Sequence, residues 1–286
     1  MPVSRRQLLL GALCVSAAAG CSRWVPTEQV QRRAAARVLA KQLELEHRVI
    51  AAYMQLRDAG DPNFGPKAAA LLAEHEEHAQ ALLARLPRGH RVTTPTVGPG
   101  FDAVVDAETR SAQHALTEVR ARGVGDISEL LSSIAASENT HLVALGKQVD
   151  LPILNFTDAP KEALKALAAA EHAAIFAYGA IGAHLIGETL ELARTAEALH
   201  RERREALLAA LDAPEPAPLD YQMPAGQTAI ELAIGVEQRC AAQWRQAATT
   251  LGQTGCVGLT GSSLLAAGWR RAANPQQYGT VAFPGL

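Results

Sequence analysis

A short Glu-His motif that occurs twice constrains this chain more than any other feature of its sequence. Glu46-His47-x-x-Ile50-x-Ala52-Tyr53 returns as Glu171-His172-x-x-Ile175-x-Ala177-Tyr178, 125 residues on. The same offset carries His75 onto His200, Glu77 onto Glu202, and Ala81-Leu82-Leu83-Ala84 onto Ala206-Leu207-Leu208-Ala209. Past the next loop the offset becomes 129, and Glu108-x-Arg110-Ser111-Ala112 matches Glu237-x-Arg239-Cys240-Ala241. Alanine-rich segments match one another cheaply, but an offset that holds through two segments and their polar residues marks a duplication. Each copy must therefore bury its own core. Of the 286 residues 48% are hydrophobic and only 4% aromatic, so that core is filled by aliphatics and alanine, the composition of close-packed helices.

Apolar periodicity predicts eight helices, near 32–58, 66–86, 102–121, 127–148, 160–186, 188–211, 229–250 and 261–273. Asp126-x-x-Glu129 and Thr228-x-x-Glu231 read as helix-capping arrangements, and Pro160 sits where a first turn tolerates it. Two Pro- and Gly-rich breaks, 87–100 and 212–226, are long enough to carry the chain back along a helix of about 30 Å. The break at 122–126 suits a hairpin. Two hairpins joined by a long crossover is the ferritin-like arrangement. The predicted fold is all-α, two ferritin-like four-helix bundle units arising by internal duplication, at 34–150 and 160–286, with 151–159 as linker.

Polar residues interrupt the apolar stripes of the first copy. The stripes run Leu39, Leu43, Glu46, Ile50, Tyr53; then Leu71, His75, His78, Leu82; then Phe101, Val105, Glu108, Ala112; then Ile127, Leu131, Ile134, Glu138, His141, Leu145. Buried carboxylates require a counter-charge, and imidazole with carboxylate is a ligand set for transition metals. The candidate metal ligands are Glu46, His75, His78, Glu108, Glu138 and His141, with iron, manganese or zinc as the ion. Di-metal carboxylate bundles use one Glu from each of two helices and Glu-x-x-His from each of the others. Glu138-Asn139-Thr140-His141 fits; the second helix offers His75-x-x-His78 instead, with Glu74 nearby. Two ions in such a site would lie about 3.5–4 Å apart. The competing reading is a hydrogen-bonded polar core in which Glu46 and Glu108 hold the histidines.

The second copy keeps Glu171, His200 and Glu237, but Arg203 stands in place of His78, and the Glu138 and His141 levels fall near Trp269 and Ala272. An arginine neutralises glutamates without a metal, so no cofactor is expected there.

Residues 1–21 read as an address. Arg5-Arg6 precede a short apolar run that ends in Ala18-Ala19-Gly20-Cys21, the layout of a twin-arginine export signal with a lipoprotein cleavage box. Cys21 is the expected lipidation site, 22–33 the tether, and the extracytoplasmic face of the cell membrane the expected location. In that oxidising setting Cys240 and Cys256 either pair as a disulfide or stay as separate buried thiols. The net charge of -2, from 27 basic and 29 acidic residues, argues against nucleic acid as a partner. Neither a protein partner nor a small-molecule ligand is legible, and a homo-oligomer is compatible with the sequence.

The second copy, with LAAAEHAAIFAYGAIGAHL, the Pro-rich break and IELAIGVEQRCAAQWRQAA, resembles an actinobacterial ferritin-like family known only as a domain of unknown function (DUF4439). The resemblance implies a ferritin-like fold and an envelope location, without a substrate. Three functions fit: a non-catalytic binding or structural module on the membrane, a metal-dependent (di-iron or di-manganese) oxidoreductase or metal-binding protein using the first copy, or a helical solute-binding lipoprotein.

Overall fold

The computed structural model describes residues 28–91, 95–119, 127–211, 216, 218 and 221–286. Arg5, Arg6, Cys21 and Asp126 lie outside the described residues, as do parts of both long breaks. Eight helices are present among the described residues: α1 Glu28–Asp58, α2 Pro66–Leu83, α3 Phe101–Glu118, α4 Ser128–Ala144, α5 Lys161–Gly182, α6 Gly187–Ala209, α7 Ala229–Leu251 and α8 Gln253–Ala273. None is long and apolar enough to cross a membrane. α1 begins inside the expected tether, with an Arg32–Glu28 pair spanning its first turns.

Helices α1–α4 form one four-helix unit and α5–α8 the other, with matching neighbours: α1 packs on α2 and α3, and α3 on α4, as α5 packs on α6 and α7, and α7 on α8. The chain is thus two copies of one unit. The fourth helices also pack on each other. Consequently α4 is wrapped on nearly every side, and 14 of its 17 residues are buried. The two cores interleave along this seam. Ala136 of α4 belongs to the second core, and Cys256 of α8 to the first. Arg245 and Glu129 close the seam with an ion pair of 2.9 Å.

The start of α8 departs from the sequence expectation. Residues 253–260 are rich in glycine and were expected as loop, yet the helix begins directly after Gly252, whose φ of 53° turns the chain out of α7. Glycine is a poor helix former, and here close packing overrides that cost. A Cβ on Gly255 would meet the Ala248 backbone at 2.5 Å, and one on Gly258 the Trp244 ring at 2.1 Å. The glycines let α7 and α8 touch backbone to ring.

This geometry also corrects the cysteine pairing. Cys240 and Cys256 are both free thiols. Cys256 is in the first turn of α8 and points at α4, with the Ser132 carbonyl 3.9 Å from its sulfur, whereas Cys240 faces the second core. Burial pushes the Cys256 thiol up to about 12, so both are inert, apolar fillers.

A methyl group on the seam of α7 and α8 should be costly. Gly258→Ala is expected to destabilise the fold by about 1–3 kcal/mol through overpacking. Gly179→Ala, in α5 where a Cβ meets nothing, should stabilise it by about 0.5–1 kcal/mol. Urea unfolding of both variants reads the difference.

Candidate metal centre

Each bundle is centred on the same bridge. In the first, His75 on α2 lies between two carboxylates, with Nδ1 2.8 Å from Glu46 Oε2 and Nε2 2.9 Å from Glu108 Oε1. The Tyr53 hydroxyl donates to Glu108 at 2.9 Å. In the second, His200 Nδ1 is 2.5 Å from Glu171 Oε2, His200 Nε2 3.0 Å from Glu237 Oε1, and Tyr178 donates to Glu237 at 2.5 Å. Four residues on three helices therefore superpose in role, which the repeat required. All eight are buried. Burial alone would lower His75, but Glu108 and then Glu46 raise it to about 10. Burial likewise opposes ionisation of Glu108, and the charges of His75 and His141 overcome it and hold the carboxyl at about 2.

What differs is what surrounds the bridge. In the second bundle Arg203 reaches the Ser262 hydroxyl at 2.9 Å and the Gly258 carbonyl at 3.0 Å, and stands 3.8 Å from Glu171. Trp244 donates to Glu171, and Trp269 to the Tyr178 hydroxyl, each at 2.8 Å. Arg203, in place of His78, thus meets Ser262 of α8, and Trp269, near which the repeat places the level of Glu138, reaches the centre through Tyr178. Glu237 is left to His200 and Tyr178, both on Oε1, and its Oε2 has no hydrogen-bond partner among the described residues.

In the first bundle the corresponding space holds ligand-type groups. Glu46, His75, His78 and Glu138 each present an atom within 4.8 Å of the others, as do His75, Glu108 and His141. The structure thus brings together all six residues selected from the stripes, every one fully buried. Glu74 does not join the bridge; it takes an outer position, with Oε2 2.9 Å from His141 Nε2. That contact leaves His141 Nδ1 facing inward, 3.1 Å from His75 Nε2 and 3.4 Å from Glu108. Likewise His78 Nε2 donates to the Ala282 carbonyl at 2.6 Å, and its Nδ1 faces inward, 3.4 Å from Glu46. Ring nitrogens anchored on outer acceptors with the other nitrogen aimed at a shared centre are how histidines are oriented for metals.

Three inward groups have atoms without partners. Among the described residues, His78 Nδ1, Glu108 Oε2 and both oxygens of Glu138 have no hydrogen-bond partner. Burial, then the carboxylates of Glu46 and Glu108, push Glu138 well above the usual range. By contrast, proximity to His78 and the His75 hydrogen bond hold Glu46 well below it, despite its burial. Buried carboxyl oxygens without a hydrogen bond, beside an inward-facing imidazole nitrogen, suit a place where a cation is accepted.

Two contributors were not read from the sequence. Gln42, fully buried, donates to Glu46 at 3.1 Å and to Ser111 at 2.7 Å; its position one turn before Glu46 was the available signal. The second is the tail after α8. It runs between the bundles, held by Arg270 and Arg245 of its own and lying against α2 and α4 of the other. Thr280 donates to Glu74 at 2.6 Å, Phe283 sets its ring edge to His78 at 5.2 Å, and Ser133 donates to the Pro284 carbonyl at 2.9 Å. Gly279 and Gly285, at φ 77° and 83°, seat the tail where a Cβ would strike Ala267 and Ala241 carbonyls. The second unit's last residues thus wall the first unit's centre.

Among known proteins, residues 163–286 match the family described as Domain of unknown function (DUF4439). No curated protein and no solved structure matches the chain. The architecture and the site define a duplicated four-helix-bundle protein with a buried Glu/His cluster in one copy. The match to DUF4439 spans the second copy together with the tail that covers that cluster.

Two outcomes follow from these contacts. Removing residues 275–286 strands His78 and Ser133 as buried donors, and each such group costs about 1–3 kcal/mol; urea unfolding of the shortened chain should show a clear loss. In the second bundle, Glu237 and Glu171 raise His200 against its burial to about 9, from an ordinary 6.5. The stabilisation from its charge is complete below pH 6.5 and is lost as pH rises through about 9. His200→Gln should flatten the decline in melting temperature across that interval relative to the unaltered chain.

Proposed function

We propose that this is a metal-binding protein of the ferritin-like type, held at the outer face of the cell membrane, whose first bundle takes one or two first-row transition ions. The observation that carries the reading is the orphaned pair of Glu138 and His78 Nδ1 at the centre of a fully buried six-residue donor set. Three imidazoles and three carboxylates suit iron, manganese or zinc. When bound, such an ion supplies Lewis-acid or redox chemistry. The chain's own residues hold Glu46 and Glu108 ionised, fix the outward nitrogens of His78 and His141, and exclude water by α4 and the tail. A non-catalytic envelope module accounts for the second bundle but leaves Glu138 without a partner. A metal-dependent oxidoreductase is the activity this donor set would support.

The envelope location rests on Arg5-Arg6, the apolar run after them, and Cys21 at the end of a lipoprotein-type box. The second bundle serves as scaffold, with Glu171 met by His200, Arg203 and Trp244, and one oxygen of Glu237 by His200 and Tyr178.

Elemental analysis of the full chain purified without chelator should find one to two equivalents of iron, manganese or zinc. Glu138→Ala with His141→Ala should abolish binding, and Glu171→Ala should not. A metal-free protein that also fails to take up added iron, manganese or zinc would end the proposal. Oxygen or peroxide consumption by the loaded protein then separates an oxidoreductase from a closed structural site.

A further inference from the structure

The two ligand groups share one residue, His75, and they meet it at opposite ring nitrogens. Glu46 and the inward Nδ1 of His78 gather at the Nδ1 side of His75, at 2.8 Å from that nitrogen and 3.4 Å from each other respectively. Glu108 and the inward Nδ1 of His141 gather at the Nε2 side, at 2.9 and 3.1 Å. Glu138 completes the first group. A carboxylate at position 75 could join two ions through adjacent oxygens. An imidazole presents two donors on opposite edges of a ring and cannot.

We propose, on the basis of the metal-binding reading above, that His75 bridges two ions as an imidazolate, with one ion held by Glu46, His78 and Glu138 and the other by Glu108 and His141. Each ion replaces one N–H proton of His75, and both protons leave to solvent. Metal–nitrogen bonds of about 2 Å on each side of the ring set the ions about 6 Å apart. The carboxylate-bridged spacing expected from the sequence was about 3.5–4 Å.

The duplicated bundle provides an internal comparison. His200 makes the same two-sided contact between Glu171 and Glu237, so the bridging pose precedes any ligand set. The first copy adds a histidine at each end of that pose: His78, where the second copy has Arg203, and His141. The additions fall on both nitrogens of one ring, and each added histidine has its outer nitrogen tied, to Ala282 and to Glu74.

The test is anomalous diffraction from crystals of the full chain loaded with zinc chloride, with zinc content measured in solution. Two peaks about 6 Å apart, one on each side of His75, are expected. Two peaks at about 3.5–4 Å, or a single peak, would overturn the imidazolate bridge and leave the metal-binding reading standing. Absence of bound zinc, iron and manganese would overturn both. In solution, His78→Gln and His141→Gln should each drop zinc from two equivalents to one, and His75→Gln should weaken both. Retention of two tight equivalents by a folded His75→Gln chain would equally overturn the bridge.

Discussion

Burying a carboxylate among hydrocarbon side chains is among the costliest acts a helical core can perform, and this chain performs it in both halves. The Glu–His–Glu bridge makes it tolerable. One imidazole spans two helices' carboxylates, carries the compensating charge, and is buttressed by a tyrosine from the helix that supplies the first glutamate. Everything else in each bundle is arranged around that line, the aliphatic layers above and below it as well as the polar groups beside it. The two copies diverge only after the bridge is in place. One surrounds it with arginine, tryptophan and serine, and the other with histidine and glutamate.

The divergence has a simple electrostatic logic. Arg203 brings a permanent charge and five donors, and finds acceptors in a carbonyl and a hydroxyl on α8. It brings a fixed positive charge to within 3.8 Å of Glu171. His78, in the same place, has Nε2 taken by Ala282 and turns Nδ1 to the centre. With Glu138 facing the same volume, the first centre presents imidazole and carboxylate where the second presents a guanidinium.

Much of this was legible in the sequence, for identifiable reasons. Periodic stripes placed all the helices but α8 to within about one turn at each end, and the constant offset gave the duplication, because both signals are local or repeat over many residues. The six donor residues were legible because a Glu or His in an otherwise apolar stripe has few explanations. The start of α8 was not, because the propensity of glycine is a local quantity, and what makes Gly255 and Gly258 helical is the ring and backbone of α7. The free state of Cys240 and Cys256 was hidden for a similar reason, since their separation along the chain says nothing about which core each faces. The tail was least legible of all. Its backbone carbonyls do the work, and any sequence possesses those.

The seam between α4 and α8 gives the molecule a mechanical property. α4 carries Glu138 and His141 on one face and leans on α8 through Ser132, Ala136 and Cys256 on another. A helix enclosed on nearly every side has little room to rotate or slide alone. The last helix of the second copy is thereby part of the wall that fixes where two of the six residues of the first sit.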